Sequence, residues 1–199
     1  MIVSCNRDGI SMASRIIKSG GIAVFPTDTV YGIGCDPFNS KAVETIYKIK
    51  GREGSKQLPV LGLSIFEISK IAVFDKLSQR FASRFWPGPL TLILDVKEEK
   101  IAKSLGLDKK IAVRVPNHPC VLELLKECKL LVGTSANPSG QPSAADSTEV
   151  IEKLSGYDIL LDGGSIPNPV ESTIVRVAGD RFDIIREGKI SEKELLSLV

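Results

Sequence analysis

Four stretches of this sequence gather side chains that could do chemistry. The first is Gly20 to Asp36, "GGIAVFPTDTVYGIGCD", where an apolar run ends abruptly in Pro26-Thr27-Asp28-Thr29. Hydroxyls and a carboxylate at a strand end can hold a ligand, but they can also bond local backbone in a polar turn. The second is "KIKGRE", where Lys50 and Arg52 straddle Gly51 and Lys56 follows. Cations there can answer the dipole of a helix C-terminus. They can equally clamp an anion, arginine through paired N–H groups and lysine as a point charge. The third is "VGTSANPSGQPSAAD", Val132 to Asp146, a strand that empties into small hydroxyl-rich residues before a helix. Such a loop is either a solvated Pro/Ser/Gly connection or a backbone cradle for phosphate or carboxylate. It has neither the Walker spacing nor GxGxxG. Asn137 stands out in it, because an amide can read a base or sugar edge. The fourth group is Arg114 in "AVRVPNHP", Ser172 in "VESTIV" and Arg186 in "IIREG". Arg114 alternates with Val113 and Val115 and so faces away from one apolar layer, although a single strand arginine is usually only solvated.

What is missing narrows the chemistry. There is no GxSxG elbow and no HExxH, and one histidine, His118, does not make a hydrolase triad. Cations, hydroxyls and glycines suit the positioning of phosphates and a carboxylate, as in nucleotidyl or phosphoryl transfer, with little covalent work by the protein. Lys50 and Arg52 are expected to be partly exposed. The 26 basic residues nearly balance 24 acidic ones, so any positive site must come from clustering. Cys5, Cys35, Cys120 and Cys128 form no CxxC pair. That spacing argues against zinc and against a disulfide framework, and leaves reduced thiols in a cytoplasmic protein as the expectation. No stretch approaches the roughly 20 apolar residues of a membrane span.

The elements that must position these groups alternate along the 199 residues. Helices are expected over Met12–Ser19, Ser40–Lys50, Leu77–Trp86, Pro119–Cys128 and Thr148–Leu154, with a last one capped by Ser191. Strands are expected over Ile22–Phe25, Leu58–Leu63, Leu90–Asp95, Ile111–Val115, Leu130–Gly133, Ile159–Leu161, Thr173–Val177 and Phe182–Ile185. This pattern predicts a single α/β domain over residues 1–199 with a central mixed sheet. Late strands follow one another without a helix, so part of the sheet should be antiparallel.

"PTDTVYGIG", "KIKGRE", "WPGPLTLIL", "AVRVPNHP", "TSANPSGQPS", "ESTIV" and "REGKI" resemble, in this order, the YrdC-type threonylcarbamoyl-AMP synthases, from about Gly20 to Ile190. The resemblance implies a YrdC-like fold: a twisted mixed sheet flanked by helices around a large basic cavity, in the single-domain form. It implies that L-threonine, bicarbonate and ATP, with magnesium, give threonylcarbamoyl-AMP and pyrophosphate. A separate transferase complex would then use the product to modify transfer RNA. Residue by residue, Thr27, Arg114 and Ser172 would bind threonine. Lys50 and Arg52 would be catalytic, holding ATP phosphates and the developing charge. Thr134, Ser135, Asn137, Ser143 and Arg186 would hold the nucleotide. No metal-ligand cluster is visible. Some relatives carry a histidine just after the strand that follows the Lys-x-Arg loop; here that strand reads "LPVLGLS", with Leu61 and Gly62. His118 belongs to another motif and reads as a helix cap or surface residue. The alternatives are a YrdC-like paralogue that uses another amino acid or none, and a module that binds double-stranded RNA through phosphate contacts.

Overall fold

A computed structural model describes residues 1–51 and 57–199; Arg52 and Lys56 lie outside the described residues. The order of elements is β1 (Ile2–Ser4), α1 (Arg7–Lys18), β2 (Ala23–Phe25), β3 (Gly32–Gly34), α2 (Ser40–Lys50), β4 (Val60–Gly62), α3 (Ile65–Ile68), β5 (Ala72–Val73), α4 (Lys76–Phe85) and β6 (Leu90–Val96). It continues with α5 (Glu99–Leu105), β7 (Lys110–Arg114), α6 (Pro119–Cys128), β8 (Leu130–Val132), β9 (Thr134–Ser135), α7 (Ser147–Lys153), β10 (Ile159–Asp162), β11 (Thr173–Ala178), β12 (Arg181–Arg186) and α8 (Glu192–Leu196).

Local chemistry accounts for the helix ends. Asn39 accepts the N–H of Ala42 at the start of α2, one residue before the cap that the sequence suggests. Gly51 closes that helix at φ 55°, a left-handed conformation that glycine adopts without a Cβ penalty. Asp146 caps α7 through Glu149 N–H, and Ser191 with Glu194 forms a capping box on α8. α1 starts earlier than its apolar periodicity suggests, because Asn6 caps it through the N–H of Gly9.

The strands divide into two mixed sheets rather than one. The five-stranded sheet runs β1-β10-β2-β3-β9, and the seven-stranded one runs β12-β11-β6-β7-β4-β8 with β5 on β6. β11 pairs antiparallel with β12, as a helix-free connection requires. One residue, Gly133, separates β8 in the second sheet from β9 in the first. A Cβ there would sit 2.4 Å from Leu61 Cδ1. β3 is the "GIG" that reads as loop in the sequence. Its glycines serve close approach, for a Cβ on Gly34 would lie 1.9 Å from the carbonyl oxygen of Val132.

Alternation in β2 feeds two cores. Val24 packs with Tyr31, Ile33, Ile46 and Val60, while Ala23 and Phe25 pack with Ile17, Val121, Leu124 and Leu161 beneath α1 and α6. Across that second core, Cys5 and Cys120 form a disulfide with Cα atoms 5.6 Å apart, while Cys35 and Cys128 are free thiols. The expectation of four reduced thiols is therefore corrected: residues 115 apart in sequence meet because α6 packs beside the β1–α1 turn. Among the described residues no helix is long and apolar enough to cross a membrane.

Candidate active site

The two sheets face each other across a cavity of about 380 Å³. Phe25, Leu61, Ile93, Ala112 and Ile174 are among its apolar walls, and hydroxyls, two arginines, a carboxylate and the Gln57 amide are among its polar lining.

One corner is built around Arg114 at the end of β7, where the side chain is buried at 6% exposure. Nε donates to the Gly88 carbonyl (2.9 Å), Nη1 to the Thr29 hydroxyl (3.0 Å) and Nη2 to Asp28 Oδ1 (2.6 Å). Asp28 Oδ1 also accepts the N–H of Asn117 at 2.9 Å. Burial pushes the Arg114 guanidinium down from its ordinary value, the Asp28 carboxylate opposes that, and Arg186 adds to the lowering. A guanidinium has five N–H donors, so these three bonds leave two for a ligand.

Thr27 satisfies both readings of its stretch. Its hydroxyl donates to the Val30 carbonyl (2.6 Å) and accepts from the N–H groups of Thr29 (3.1 Å) and Val30 (3.2 Å), which is a local turn. It also lines the cavity. Because the Thr27 proton goes to Val30, the Thr29 hydroxyl, 2.9 Å away, donates to Thr27 while accepting from Arg114. The turn is thus the bracket that holds the arginine.

The opposite side carries Arg186 at the end of β12. Nε and Nη2 donate to the Ser172 carbonyl (3.2 and 2.9 Å), Nη2 reaches the Ser172 hydroxyl (3.2 Å), and Nη1 pairs with Glu171 Oε2. Ser172 is buried and shares a 2.9 Å hydrogen bond with Thr91. Ser143 donates to Glu171 Oε1 at 2.6 Å.

Thr134 and Ser135, in β9, line the cavity. Behind them lies Lys50, only 2% exposed, which corrects the expectation of partial exposure. Its ammonium donates to the carbonyls of Ser135 and of Asn137, the latter at 2.7 Å. Removing such a charge from water is tolerable only with partners of this kind. Asn137 is buried too; its Nδ2 donates to the carbonyls of Pro138 (3.1 Å) and Gln141 (2.6 Å), whereas Oδ1 has no partner among the described residues. Thr27, Arg114, Thr134, Ser135, Ser172 and Arg186 therefore share one cavity. Lys50 and Asn137 support the loop from behind, Ser143 joins through Glu171, and Arg52 lies outside the described residues.

Sequence reasoning passed over Asp28, Thr29, Thr91 and Glu171 as site residues. The signals were present for three of them: Asp28 and Thr29 sit inside the stretch that drew attention, and Glu171 immediately precedes Ser172. Thr91 lies inside an apolar strand and carried none. His118 is the N-cap of α6, with Nδ1 accepting the Cys120 N–H at 3.2 Å, as its motif suggested. Leu61 faces the cavity, whereas a Cβ on Gly62 would meet Ile68 Cγ1 at 2.6 Å, so position 62 points into the core.

Two mixed sheets around a pocket with an arginine at either end define an α/β protein with a cationic cleft between its sheets. The chain belongs to the Sua5/YciO/YrdC family, whose model, described as telomere recombination, matches residues 15–188. It is 33% identical over 202 residues to the threonylcarbamoyl-AMP synthase of Bacillus subtilis, an alignment that covers 99% of this chain and 58% of that protein. It is 32% identical over 166 residues to the threonylcarbamoyl-AMP synthase of Pseudomonas aeruginosa, covering 82% and 89%. The solved structure of Pyrococcus abyssi Sua5 complexed with L-threonine superposes with a TM-score of 0.92 at 31% identity, covering 100% of this chain and 61% of that one. The chain thus spans about three fifths of the Bacillus and Pyrococcus proteins.

Proposed function

We propose that this chain catalyses threonylcarbamoyl-AMP formation from L-threonine, bicarbonate and ATP. The observation that carries the reading is Arg114: a buried guanidinium held on three sides, facing a cavity, with two N–H groups left for a carboxylate. Bidentate pairing of that kind is the geometry a carboxylate prefers. That the Pyrococcus relative is complexed with L-threonine supports an amino acid as the ligand.

In this reading Arg114 holds the threonine carboxylate, with Thr27 and Ser172 beside it. The threonine amine, once neutral, attacks the carbon of carbon dioxide, which bicarbonate yields by taking up a proton and losing water, and it releases one proton to solvent as it becomes a carbamate. A carbamate oxygen then attacks the α-phosphorus of ATP, the bond to the β-phosphate oxygen breaks, and pyrophosphate leaves. Thr134, Ser135, Ser143 and Arg186 hold the nucleotide. Arg52 keeps its assignment to the phosphates, and Lys50 acts on the same site by fixing the carbonyls of Ser135 and Asn137. Catalysis is then positioning and charge stabilisation rather than covalent participation by the protein.

Magnesium enters with the nucleotide. Among the described residues no three metal-binding side chains gather, so its ligands would be phosphate oxygens and water, which magnesium accepts readily. The product, a reactive mixed anhydride, would pass to a separate transferase that modifies transfer RNA.

The test is mass spectrometry of the pure protein with magnesium, ATP, bicarbonate and L-threonine. Threonine-dependent threonylcarbamoyl-AMP is expected. Its absence, with serine and valine also inert, would overturn the reading. Because Leu61 stands in the cavity wall, a product with valine or serine alone would point instead to a paralogue with another amino-acid preference.

A further inference from the structure

The proposed reaction requires Ser143 and Arg186 to receive an anionic nucleotide. Both already hold an anion supplied by the chain. Glu171 accepts the Ser143 hydroxyl on Oε1 at 2.6 Å and the Arg186 guanidinium on Oε2. Glu171 is the one carboxylate among the described residues that line the cavity. The remaining bonds of Arg186 go to Ser172, so of its five N–H groups only one is uncommitted. A phosphate cannot take a bidentate grip on Arg186 while Glu171 keeps its place.

The backbone and the side chain of Glu171 differ in freedom. Its carbonyl accepts the Lys189 N–H at 3.1 Å and packs against Gly188, where a Cβ would come within 2.3 Å of it. The side chains of Glu171 and Arg186, by contrast, are 36% and 40% exposed. The carboxylate can therefore turn outward to water without moving the chain.

Resting on the reading of this cavity as a nucleotide site, we infer that Glu171 is an internal counter-anion for the nucleotide subsite. In the empty site it holds Ser143 and Arg186 in place. The incoming phosphate displaces it, and its return helps expel pyrophosphate. Glu171 is thus a positioning residue that sets how tightly polyphosphate anions bind.

The experiment is equilibrium titration calorimetry of the full chain with ATP, pyrophosphate and adenosine, without threonine, for the wild type, Glu171→Gln and Glu171→Ala. Both substitutions should tighten ATP and pyrophosphate about tenfold, or about 1.4 kcal/mol, and leave adenosine, which has no anion, unchanged. Unfolding midpoints close to wild type would confirm that either variant is a fair probe. Equal or weaker ATP binding in a folded variant, or an equal gain with adenosine, would sink the role of Glu171 alone. A wild type that binds no ATP at millimolar concentration would remove the nucleotide reading and this inference together.

Discussion

The two arginines of the cavity are held in opposite ways. Arg114 and Asp28 have side chains 7% and 14% exposed, and each is braced by further bonds to Gly88, Thr29 and Asn117. Arg186 and Glu171 are 40% and 36% exposed. A buried pair surrounded by hydrogen bonds has one geometry, whereas an exposed pair is screened and exchanges readily with water. One end of the cavity is consequently preformed and the other adjustable. That division suits the proposed reaction, in which a small amino acid is selected by shape and highly charged phosphates are admitted and released.

The contrast can be broken at several points. The largest effect should come from Arg114→Ala, which strands Asp28 in a buried position: about 3–5 kcal/mol of stability lost in chemical denaturation, together with threonine binding. Arg114→Lys should restore part of the stability but little of the binding, because the planar fork is gone. Reduction of the Cys5–Cys120 bond comes next, at about 2–4 kcal/mol. Cys120 lies on α6 three residues after Asn117, which holds Asp28. Reduction should therefore weaken threonine binding more than ATP binding. Thiol titration of the unreduced, unfolded protein should find two reactive groups, and four would refute the bond.

Lys50→Ala should cost about 2 kcal/mol or more in stability, because the carbonyls of Ser135 and Asn137 lose a buried donor. An unchanged unfolding midpoint would mean that the lysine acts only on ligand. At the adjustable end, Arg186→Ala should shift stability by less than about 1 kcal/mol yet raise the KM for ATP about tenfold or more. A stability loss as large as that of Arg114→Ala would erase the distinction between the two ends. The smallest effect is the pH response of His118. Burial holds its imidazole below the ordinary 6.5, and Nδ1 must be unprotonated to accept the Cys120 N–H. The neutral form is favoured by folding, so this stability is present above pH 6.5 and is lost as pH falls through the unfolded value toward the folded one. His118→Ala should remove about 0.5–1 kcal/mol at pH 8 and flatten the profile below pH 6.5.

Much of the architecture was legible because it is local. α2 over Ser40–Lys50 and α6 over Pro119–Cys128 have the bounds that periodicity and end residues dictate. α5 was passed over although Glu98, Ile101, Leu105 and Gly106 carry a cap, two buried positions one turn apart and a left-handed stop. What could not be read is non-local. The burial of Lys50 is set by carbonyls 85 and 87 residues away, that of Arg114 by a carboxylate 86 residues away, and the disulfide by a contact 115 residues apart. Spacing along the chain holds no trace of such pairings. The same holds for β3, whose glycines look like a loop until the carbonyl of Val132 is brought against them.

The single residue between β8 and β9 sets a tolerance in chain length. Gly133 works as a joint with no slack, carrying the chain from one wall of the cavity to the other. Side chains along a strand alternate with a period of two, so one inserted residue after Gly133 would turn β9 over and exchange the faces of Thr134 and Ser135. Elsewhere the chain can lengthen a turn and keep its pocket; here an insertion of one residue would move both hydroxyls of β9 off the places they hold in the cavity lining.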